Sequence, residues 1–232
     1  AEQLNQLQIK PQAIVLEPVG RNTAPAATIA ALMLLKKDPK ALILLLPSDH
    51  IIENQVGFQN AISVGAEAAL GGYFVTFGIE PEEANTGYGY IHRSTPIQHL
   101  TECYSVRKFV EKPDLSMAEY YVSTGTHYWN SGIFLFSAKS MLAELVEREP
   151  NIVSNCDAAI NHAKMDLDFI RLDENNFSKN PSKSIDYAII EHTDRAAVIP
   201  VEIGWNDIGS WDSLWKTGKK DCLLYTSDAA DE

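Results

Sequence analysis

The sequence predicts an α/β fold in which helices cover both faces of a mostly parallel sheet. Short β-branched or leucine-rich runs alternate with longer stretches typical of helices, and this alternation is characteristic of βαβ units. The predicted strands are Ala13–Leu16, Ala41–Leu46, Tyr73–Phe77, Ser105–Val110 and Ile133–Phe136. The predicted helices are Pro25–Lys37, Gly57–Leu70, Ser137–Glu149, Ile152–Lys164 and Ser184–Glu191.

The first helix and the second strand carry the most direct support for this fold. Every position of Ala41–Leu46 is apolar, as in a central strand that is buried on both faces. Pro25 falls in the opening turn of the helix, where its missing N–H costs nothing, and Thr23 is available as the cap. The polar, proline-bearing segment Asp173–Ser182 is predicted to be a surface loop.

The length of 232 residues suits one large globular domain, and the chain shows no internal repeat or low-complexity linker. We assign residues 1–221 to this domain. It opens just before a strand with no earlier strand to start the sheet, so we expect it to be incomplete at its N-terminus. Residues 222–232, CLLYTSDAADE, continue no pattern and are predicted to be a tail that is not native to the protein.

The composition, with 45% hydrophobic and 22% charged residues, is that of an ordinary soluble domain. No apolar run approaches the roughly 20 residues of a bilayer span, and the start lacks the regions of a signal peptide, so the predicted location is the cytoplasm. A net charge of −12 disfavours binding to nucleic acid or an anionic membrane. The cysteines, Cys103, Cys156 and Cys222, form no CxxC pair and are predicted to be reduced structural thiols.

Polar and glycine-bearing segments follow several predicted strands, which is where ligands bind in open α/β sheets. In chain order they are EPVGRNTAP (17–25), PSDH (47–50), TGYGY (86–90), EKP (111–113), WNSG (129–132), SIDYA (184–188) and WNDIGSW (205–211). Each segment alone is a weak signal. In this order and at these spacings, over residues 1–221, the set resembles the GDP-mannose pyrophosphorylase branch of the sugar-nucleotide nucleotidyltransferases.

The resemblance implies a Rossmann-like fold of the nucleotide-diphospho-sugar transferase type. It also implies an enzyme that makes GDP-mannose and pyrophosphate from GTP and mannose 1-phosphate, with Mg²⁺ as cofactor. In this family a sugar 1-phosphate oxygen attacks the α-phosphorus of GTP in line. The family's glycine-rich loop, which holds the triphosphate, should precede residue 1, and we therefore expect the chain by itself to be inactive.

The resemblance assigns catalysis to Asp49, Lys112 and Asp207. Asp49 and Asp207 are expected to share one Mg²⁺, because this hard cation prefers carboxylate oxygens. Lys112 is expected to neutralise phosphate charge during transfer, with Pro113 holding its backbone extended. From the residues alone, the aspartates could instead cap or turn the chain, and Lys112 could form a solvated pair with Glu111.

The nucleotide side is assigned to Glu17, Arg21, Asn22 and Ser48. The carboxylate of Glu17 could accept the N1–H and the N2 amino group of guanine in two parallel hydrogen bonds. Arg21 and Asn22 could add phosphate, ribose or base contacts. A polar loop that leads into a helix is the alternative interpretation of these residues.

The sugar side is assigned to Gly87, Tyr88, Glu111, Asn130 and Asp186. The glycine allows the backbone to approach a sugar ring closely, and the acidic and amide side chains would bond its hydroxyl groups. The open alternatives are a β-bulge at the glycines of TGYGY and a helix N-terminal charge for Asp186. Trp129 is left open between sugar stacking and core packing.

Two rival functions are also left open by the residues. One is a uridylyl- or thymidylyltransferase on the same fold, which base preference in a nucleotide competition assay would distinguish. The other is a non-catalytic pyrophosphorylase-like binding or regulatory subunit. The expected partners are GTP and mannose 1-phosphate, without nucleic acid or membrane, and a homo-oligomer is left open.

Overall fold

The computed structural model describes residues 2–209 of the chain. Its helices are α1 Glu2–Gln6, α2 Thr23–Leu35, α3 Gln55–Leu70, α4 Leu115–Thr124, α5 Ala138–Arg148, α6 Pro150–Asn161 and α7 Glu174–Phe177. A π-helical turn, Asp186–Ile190, follows α7. The strands are β1 Ile14–Leu16, β2 Leu42–Leu45, β3 Ile51–Ile52, β4 Phe74–Ile79, β5 Tyr90–Pro96, β6 Tyr104–Val110, β7 His127–Ser137, β8 Lys164–Asp166, β9 Phe169–Arg171, β10 Ala196–Val201 and β11 Trp205–Asn206.

Six strands form the central sheet in the order β2-β7-β4-β10-β6-β5. The strands β2, β4 and β10 run in one direction, and β7 lies antiparallel between β2 and β4. The α/β, Rossmann-like class is confirmed, but the expected direction of the strands is corrected: in the described sheet only the β4–β10 pair is parallel. A strand buried on both faces is apolar throughout in either direction, so the sequence pattern of β7 did not distinguish the two.

Helices cover both faces of this sheet, as predicted. The helices α2, α5 and α6 pack on one face and α3 on the other. Successive residues of β4 alternate between the faces, with Phe74 in the first core and Val75 and Phe77 in the second. Burying each phenylalanine contributes roughly 1.5–3 kcal/mol, so these two cores hold the layers together.

The strand β1 does not join the central sheet. It pairs in parallel with β9, and the β8–β9 hairpin completes a separate three-stranded sheet. The expectation that 13–16 belongs with the other strands in one sheet is therefore corrected. A three-residue apolar strand has the same pattern in either sheet, and only its tertiary partners decide where it pairs.

Several elements were not predicted. The strand β10 contains Pro200, and a proline in a sequence argues against a strand. The strand tolerates this proline because β6 pairs only with the first half of β10. The predicted loop 173–182 contains the short helix α7, which Asp173 caps by accepting from the backbone N–H of Asn176. The predicted helix 184–191 is the π-helical turn instead.

The described cysteines, Cys103 and Cys156, are buried free thiols. Burial raises the pKa of Cys103 to about 11 and that of Cys156 to about 12, which keeps both protonated and unreactive at neutral pH. Cys222 and the predicted tail 222–232 lie outside the described residues. Within residues 2–209, no helix combines the length and apolar character needed to cross a bilayer.

Candidate active site

A cavity of about 350 Å³ lies beyond the carboxyl end of β2. Its walls come from the loop before α2, the segment after β6, the middle of β7 and the π-helical turn. Most of the residues assigned to the site from the sequence line it: Asn22, Gly87, Tyr88, Glu111, Lys112, Asn130, Asp186 and Asp207. The lining does not include Glu17, Arg21, Ser48 or Asp49.

The strand β5 brings three of the sequence motifs together. Tyr90 of β5 pairs with Val110 of β6 and also with Trp129 of β7. The backbone N–H of Asn130 donates to the carbonyl of Gly89 at 2.8 Å. TGYGY, EKP and WNSG therefore converge on one wall of the cavity, although they lie far apart in sequence.

The side chain of Asn130 is held by neighbours on both sides of its amide. Its Oδ1 accepts from the Thr76 hydroxyl at 2.8 Å and from the Gly132 N–H at 3.3 Å, and its Nδ2 donates to Asp186 at 2.9 Å. The register of β4 and β7 shifts at this point, since Thr76 pairs with Phe134 but Gly78 pairs with Asn130. The irregularity, with Gly132 at φ +71°, re-aims the strand so that Asn130 lines the cavity.

Two carboxylates, Glu111 and Asp186, lie beside Asn130 in the cavity wall. Burial raises the pKa of both, and the negative charge of Asp186 raises the pKa of Glu111 further. The charge of Lys112 acts in the opposite direction and lowers both pKa values. Such an arrangement offers acceptors and one cation to a polyhydroxylated, negatively charged ligand.

Gly89 is required by the position of Glu111. A Cβ atom at Gly89 would lie 2.5 Å from Glu111 Oε2 and 3.0 Å from the ring of Phe109. At Gly87, the glycine assigned from the sequence, the nearest atom to a Cβ is Asn85 Oδ1 at 3.1 Å. Both glycines line the cavity, but Gly89 is the one whose missing side chain leaves room for the carboxylate.

The backbone of Lys112 corrects one expectation. Pro113 was expected to hold the lysine extended, but Lys112 has φ +46°, in the left-handed region. The chain must turn sharply here, because Asp114 already caps α4 by accepting from the backbone N–H of Met117. The Lys112 ammonium group lies 3.8 Å from Glu111 Oε1, and the side chain is 64% exposed.

Tyr88 joins the glycine-bearing loop to Asp207. Its hydroxyl donates to Asp207 Oδ1 at 2.9 Å, and the Gly209 N–H donates to the same oxygen at 3.1 Å. The Tyr88 ring packs against Trp129 and Trp205 at 5.0 Å and 5.5 Å between centroids. Burial and the Asp207 carboxylate raise the pKa of Tyr88, so the phenol stays a donor at neutral pH.

The ribbon formed by β3 and β11 sets Asp207 near the segment that follows β2. Asn206 pairs with Ile51, and the Trp205 indole donates to His50 Nδ1 at 3.1 Å. Burial lowers the pKa of His50, while the charges of Asp49 and Asp207 raise it. Both carboxylates are therefore close enough to His50 for their charges to act on its imidazole.

The residues assigned to the nucleotide make mostly structural contacts. The Arg21 guanidinium donates to the carbonyl of Ser178, and Asn22 caps α2 by accepting from the Thr23 N–H at 2.8 Å. The predicted cap, Thr23, instead accepts from the Ile185 N–H at 2.9 Å and so ties α2 to the π-helical turn. Glu17 directly follows β1, and the partial loss of solvent around its carboxyl group raises its pKa.

A family model described as nucleotidyl transferase matches residues 1–222. The chain belongs to the nucleotidyl transferase family. Xanthan biosynthesis protein XanB of Xanthomonas campestris is 49% identical over 221 residues, covering 95% of this chain and 46% of that protein. Mannose-1-phosphate guanylyltransferase RfbM of Salmonella typhimurium is 48% identical over 223 residues, with the same coverages. The chain thus spans about half the length of the curated relatives it matches.

Two solved structures are similar to this nucleotidyl transferase chain. A mannose-6-phosphate isomerase from Helicobacter pylori superposes with a TM-score of 0.78 at 31% identity, covering 89% of this chain and 79% of that one. A protein titled mannose-1-phosphate geranyltransferase from Thermus thermophilus superposes with a TM-score of 0.76 at 28% identity, covering 92% and 58%.

The structure decides the role of Trp129 and adds residues to which the sequence analysis gave no role. Trp129 is 8% exposed, packs against Tyr88 and does not line the cavity, which favours the core-packing interpretation. Thr76 contacts Asn130 and Trp205 contacts Tyr88, while His50 lines the cavity and accepts from the Trp205 indole. The signal for Thr76 was present in the sequence, because it is a hydroxyl residue within the apolar run FVTFGI.

Proposed function

We propose that this chain is the nucleotidyl-transferring part of a mannose-1-phosphate guanylyltransferase, which makes GDP-mannose and pyrophosphate from GTP and mannose 1-phosphate. The observation that carries the proposal is the convergence of Glu111, Lys112, Asn130 and Asp186 in one cavity beside Asp207. The names of several relatives that are 44–48% identical agree with this substrate pair.

The sugar side of the reaction is assigned to the amide and the two carboxylates. Asn130 would donate to a sugar oxygen, and Glu111 and Asp186 would accept from sugar hydroxyl groups. Lys112 projects from the same wall, where its ammonium group would attract the phosphate on C1. Holding the sugar phosphate in this way aligns its oxygen for in-line attack on the α-phosphorus of GTP, and alignment is a main source of rate enhancement in this chemistry.

The divalent cation that this family uses is proposed to be Mg²⁺, held by Asp49 and Asp207. The residues fit such an ion: Asp207 Oδ1 is fixed by two donors, and no donor among residues 2–209 contacts Oδ2, which leaves an oxygen for a cation. No three acidic, histidine or cysteine side chains of the described chain gather into a metal cage. Mg²⁺ commonly binds through one or two carboxylates, with water and substrate phosphates as its other ligands. When bound, it supplies positive charge beside the phosphates.

The assay that tests the function uses the protein expressed from its complete gene. Formation of GDP-mannose is followed by chromatography with GTP, Mg²⁺ and mannose 1-phosphate, and each substrate is then replaced by UTP, dTTP or glucose 1-phosphate. We expect GTP and mannose 1-phosphate to give the highest kcat/KM. Preference for UTP or dTTP would assign the chain to another nucleotidyltransferase, and no transfer with any pair would favour a regulatory subunit. Self-association into a homo-oligomer stays a prediction.

Tyr88→Phe should raise the Mg²⁺ concentration that the enzyme needs without abolishing nucleotidyl transfer. The variant keeps the ring that packs on Trp129 and Trp205 but loses the hydroxyl that orients Asp207. Groups that orient a metal ligand typically contribute 10–100-fold to metal affinity or activity, so the Mg²⁺ concentration for half-maximal rate should rise about 10-fold. Tyr187→Phe, at an exposed tyrosine, is the matched control. An unchanged Mg²⁺ requirement in Tyr88→Phe would argue that the hydroxyl has no part in holding the aspartate.

Glu17→Gln should reduce the preference for GTP if the carboxylate binds guanine. The amide presents a donor where a second acceptor is needed, so GTP should lose about 1–3 kcal/mol more binding free energy than UTP. The comparison is made by measuring KM for both nucleotides, with Glu174→Gln, at an exposed glutamate, as the control. Equal losses for the two nucleotides would assign Glu17 to the ribose or to the structure.

A further inference from the structure

Thr76 is a buried hydroxyl in the middle of an apolar strand. It is 1% exposed, and its neighbours in β4, Phe74, Val75 and Phe77, are equally buried. Removing a hydroxyl from water costs free energy unless a hydrogen bond replaces the lost water. Here the bond goes to one side chain, Asn130, whose Oδ1 accepts from Thr76 Oγ1 at 2.8 Å.

The contacts of Asn130 use all but one of the hydrogen-bonding positions of its amide. A side-chain amide has two acceptor positions on oxygen and two N–H donors on nitrogen. Thr76 and the Gly132 N–H occupy both acceptor positions, and Asp186 Oδ1 takes one donor at 2.9 Å. One N–H is left, and Asn130 lines the cavity.

The partners also determine which way the amide faces. The Gly132 N–H can only donate and so requires oxygen on its side, whereas an ionised Asp186 can only accept and so requires nitrogen. The Thr76 hydroxyl, on the neighbouring strand β4, donates to the second acceptor position of that oxygen. A turned amide could still donate to the Thr76 hydroxyl, since a hydroxyl also accepts. It would, however, place its nitrogen against the Gly132 N–H and its oxygen against the Asp186 carboxylate, which is costly.

We propose that Thr76 is a positioning residue for sugar recognition, which holds Asn130 so that it offers a ligand one N–H donor between the carboxylates of Glu111 and Asp186. This inference rests on the proposed function. The inference adds the chemistry of the ligand to that function, because the cavity wall presents one hydrogen-bond donor beside two acceptors. A ring with neighbouring hydroxyl groups matches this wall, since one oxygen accepts the N–H while the hydroxyl hydrogens go to the carboxylates.

Thr76→Val tests the role of the hydroxyl, because valine keeps the branched shape and removes the oxygen. We expect KM for mannose 1-phosphate to rise about 3- to 10-fold, the range of a single neutral hydrogen bond, while kcat and KM for GTP change less than about twofold. Thr76→Ser retains the hydroxyl and should restore KM to near the wild-type value.

Thr28→Val is the matched control for a general loss of stability. Thr28 is also fully buried, but its hydroxyl donates to the carbonyl of Ala24 within α2 and does not touch Asn130. The melting temperature of this variant is expected to fall without a change in KM for mannose 1-phosphate. If Thr28→Val raised KM as much as Thr76→Val, or if Thr76→Ser failed to restore it, the positioning role would be refuted.

A second readout needs no substrate and separates this inference from the proposed function. In protein labelled with ¹⁵N-asparagine, the two side-chain amide protons of Asn130 are followed by NMR and assigned by their loss in Asn130→Ser. We expect slow exchange of one proton and a distinct shift for the pair, both lost in Thr76→Val and kept in Thr76→Ser. Unchanged signals in Thr76→Val would overturn the inference, whereas a failure of wild-type protein to bind mannose 1-phosphate would overturn only the choice of sugar.

Discussion

Lys112→Met is expected to lower kcat/KM for GDP-mannose formation by about 10²–10³-fold, the usual cost of removing one group that stabilises charge in the transition state. Methionine keeps most of the length of the side chain and removes its charge. The ammonium group lies 3.8 Å from Glu111 and can also reach a phosphate, since the side chain is 64% exposed. The measurement is steady-state kinetics with GTP, Mg²⁺ and mannose 1-phosphate.

Folding should be almost unaffected by this change, because an exposed ion pair contributes about 0–1 kcal/mol to stability. Thermal unfolding measures that contribution. Lys108→Met removes an exposed lysine from β6, the strand that leads to Lys112, outside the cavity, and should retain full activity. Loss of the same size in both variants would show that net charge, rather than the place of Lys112, determines the rate.

Asp207→Asn is expected to remove most of the turnover while leaving the fold intact. The amide has the shape of the carboxylate but lacks its negative charge, and Mg²⁺ prefers charged oxygen ligands. A loss of at least about 100-fold in kcat is expected, comparable with the loss of one stabilising group in a transition state. Binding of Mn²⁺ alone, followed by electron paramagnetic resonance, should weaken in parallel.

Asp168→Asn makes the same chemical change at an exposed position in the β8–β9 hairpin, outside the cavity, and is expected to be silent. In Asp207→Asn the Tyr88 hydroxyl can still donate to the oxygen of the new side-chain amide, so circular dichroism should show an unaltered structure. Full activity in Asp207→Asn would remove this residue from the metal site and leave it as a turn residue of WNDIG.

The chemistry of the site was predictable from short polar motifs, of which EKP follows β6, SIDYA leads into the π-helical turn and WNSG lies within β7. Glu111, Asn130 and Asp186 were assigned from EKP, WNSG and SIDYA, and the structure brings all three to one cavity. Their residue types alone indicate what they can donate or accept. The nucleotide side was harder to predict, because an arginine or asparagine at the start of a helix can hydrogen-bond the backbone as readily as a ligand. Arg21 and Asn22 both make such bonds to the backbone.

The sequence by itself determined the α/β class, the helices on both faces and the order of the polar segments, because these depend on hydrophobic periodicity and local turn chemistry. Tertiary structure alone decided that β7 runs antiparallel between β2 and β4, that β1 pairs outside the central sheet, and that Thr76 donates to Asn130. A buried apolar run has the same sequence pattern whatever the direction of the strand and whichever strand it pairs with. The contact of Thr76 with Asn130 joins residues 54 positions apart, and the two become neighbours only when the sheet assembles.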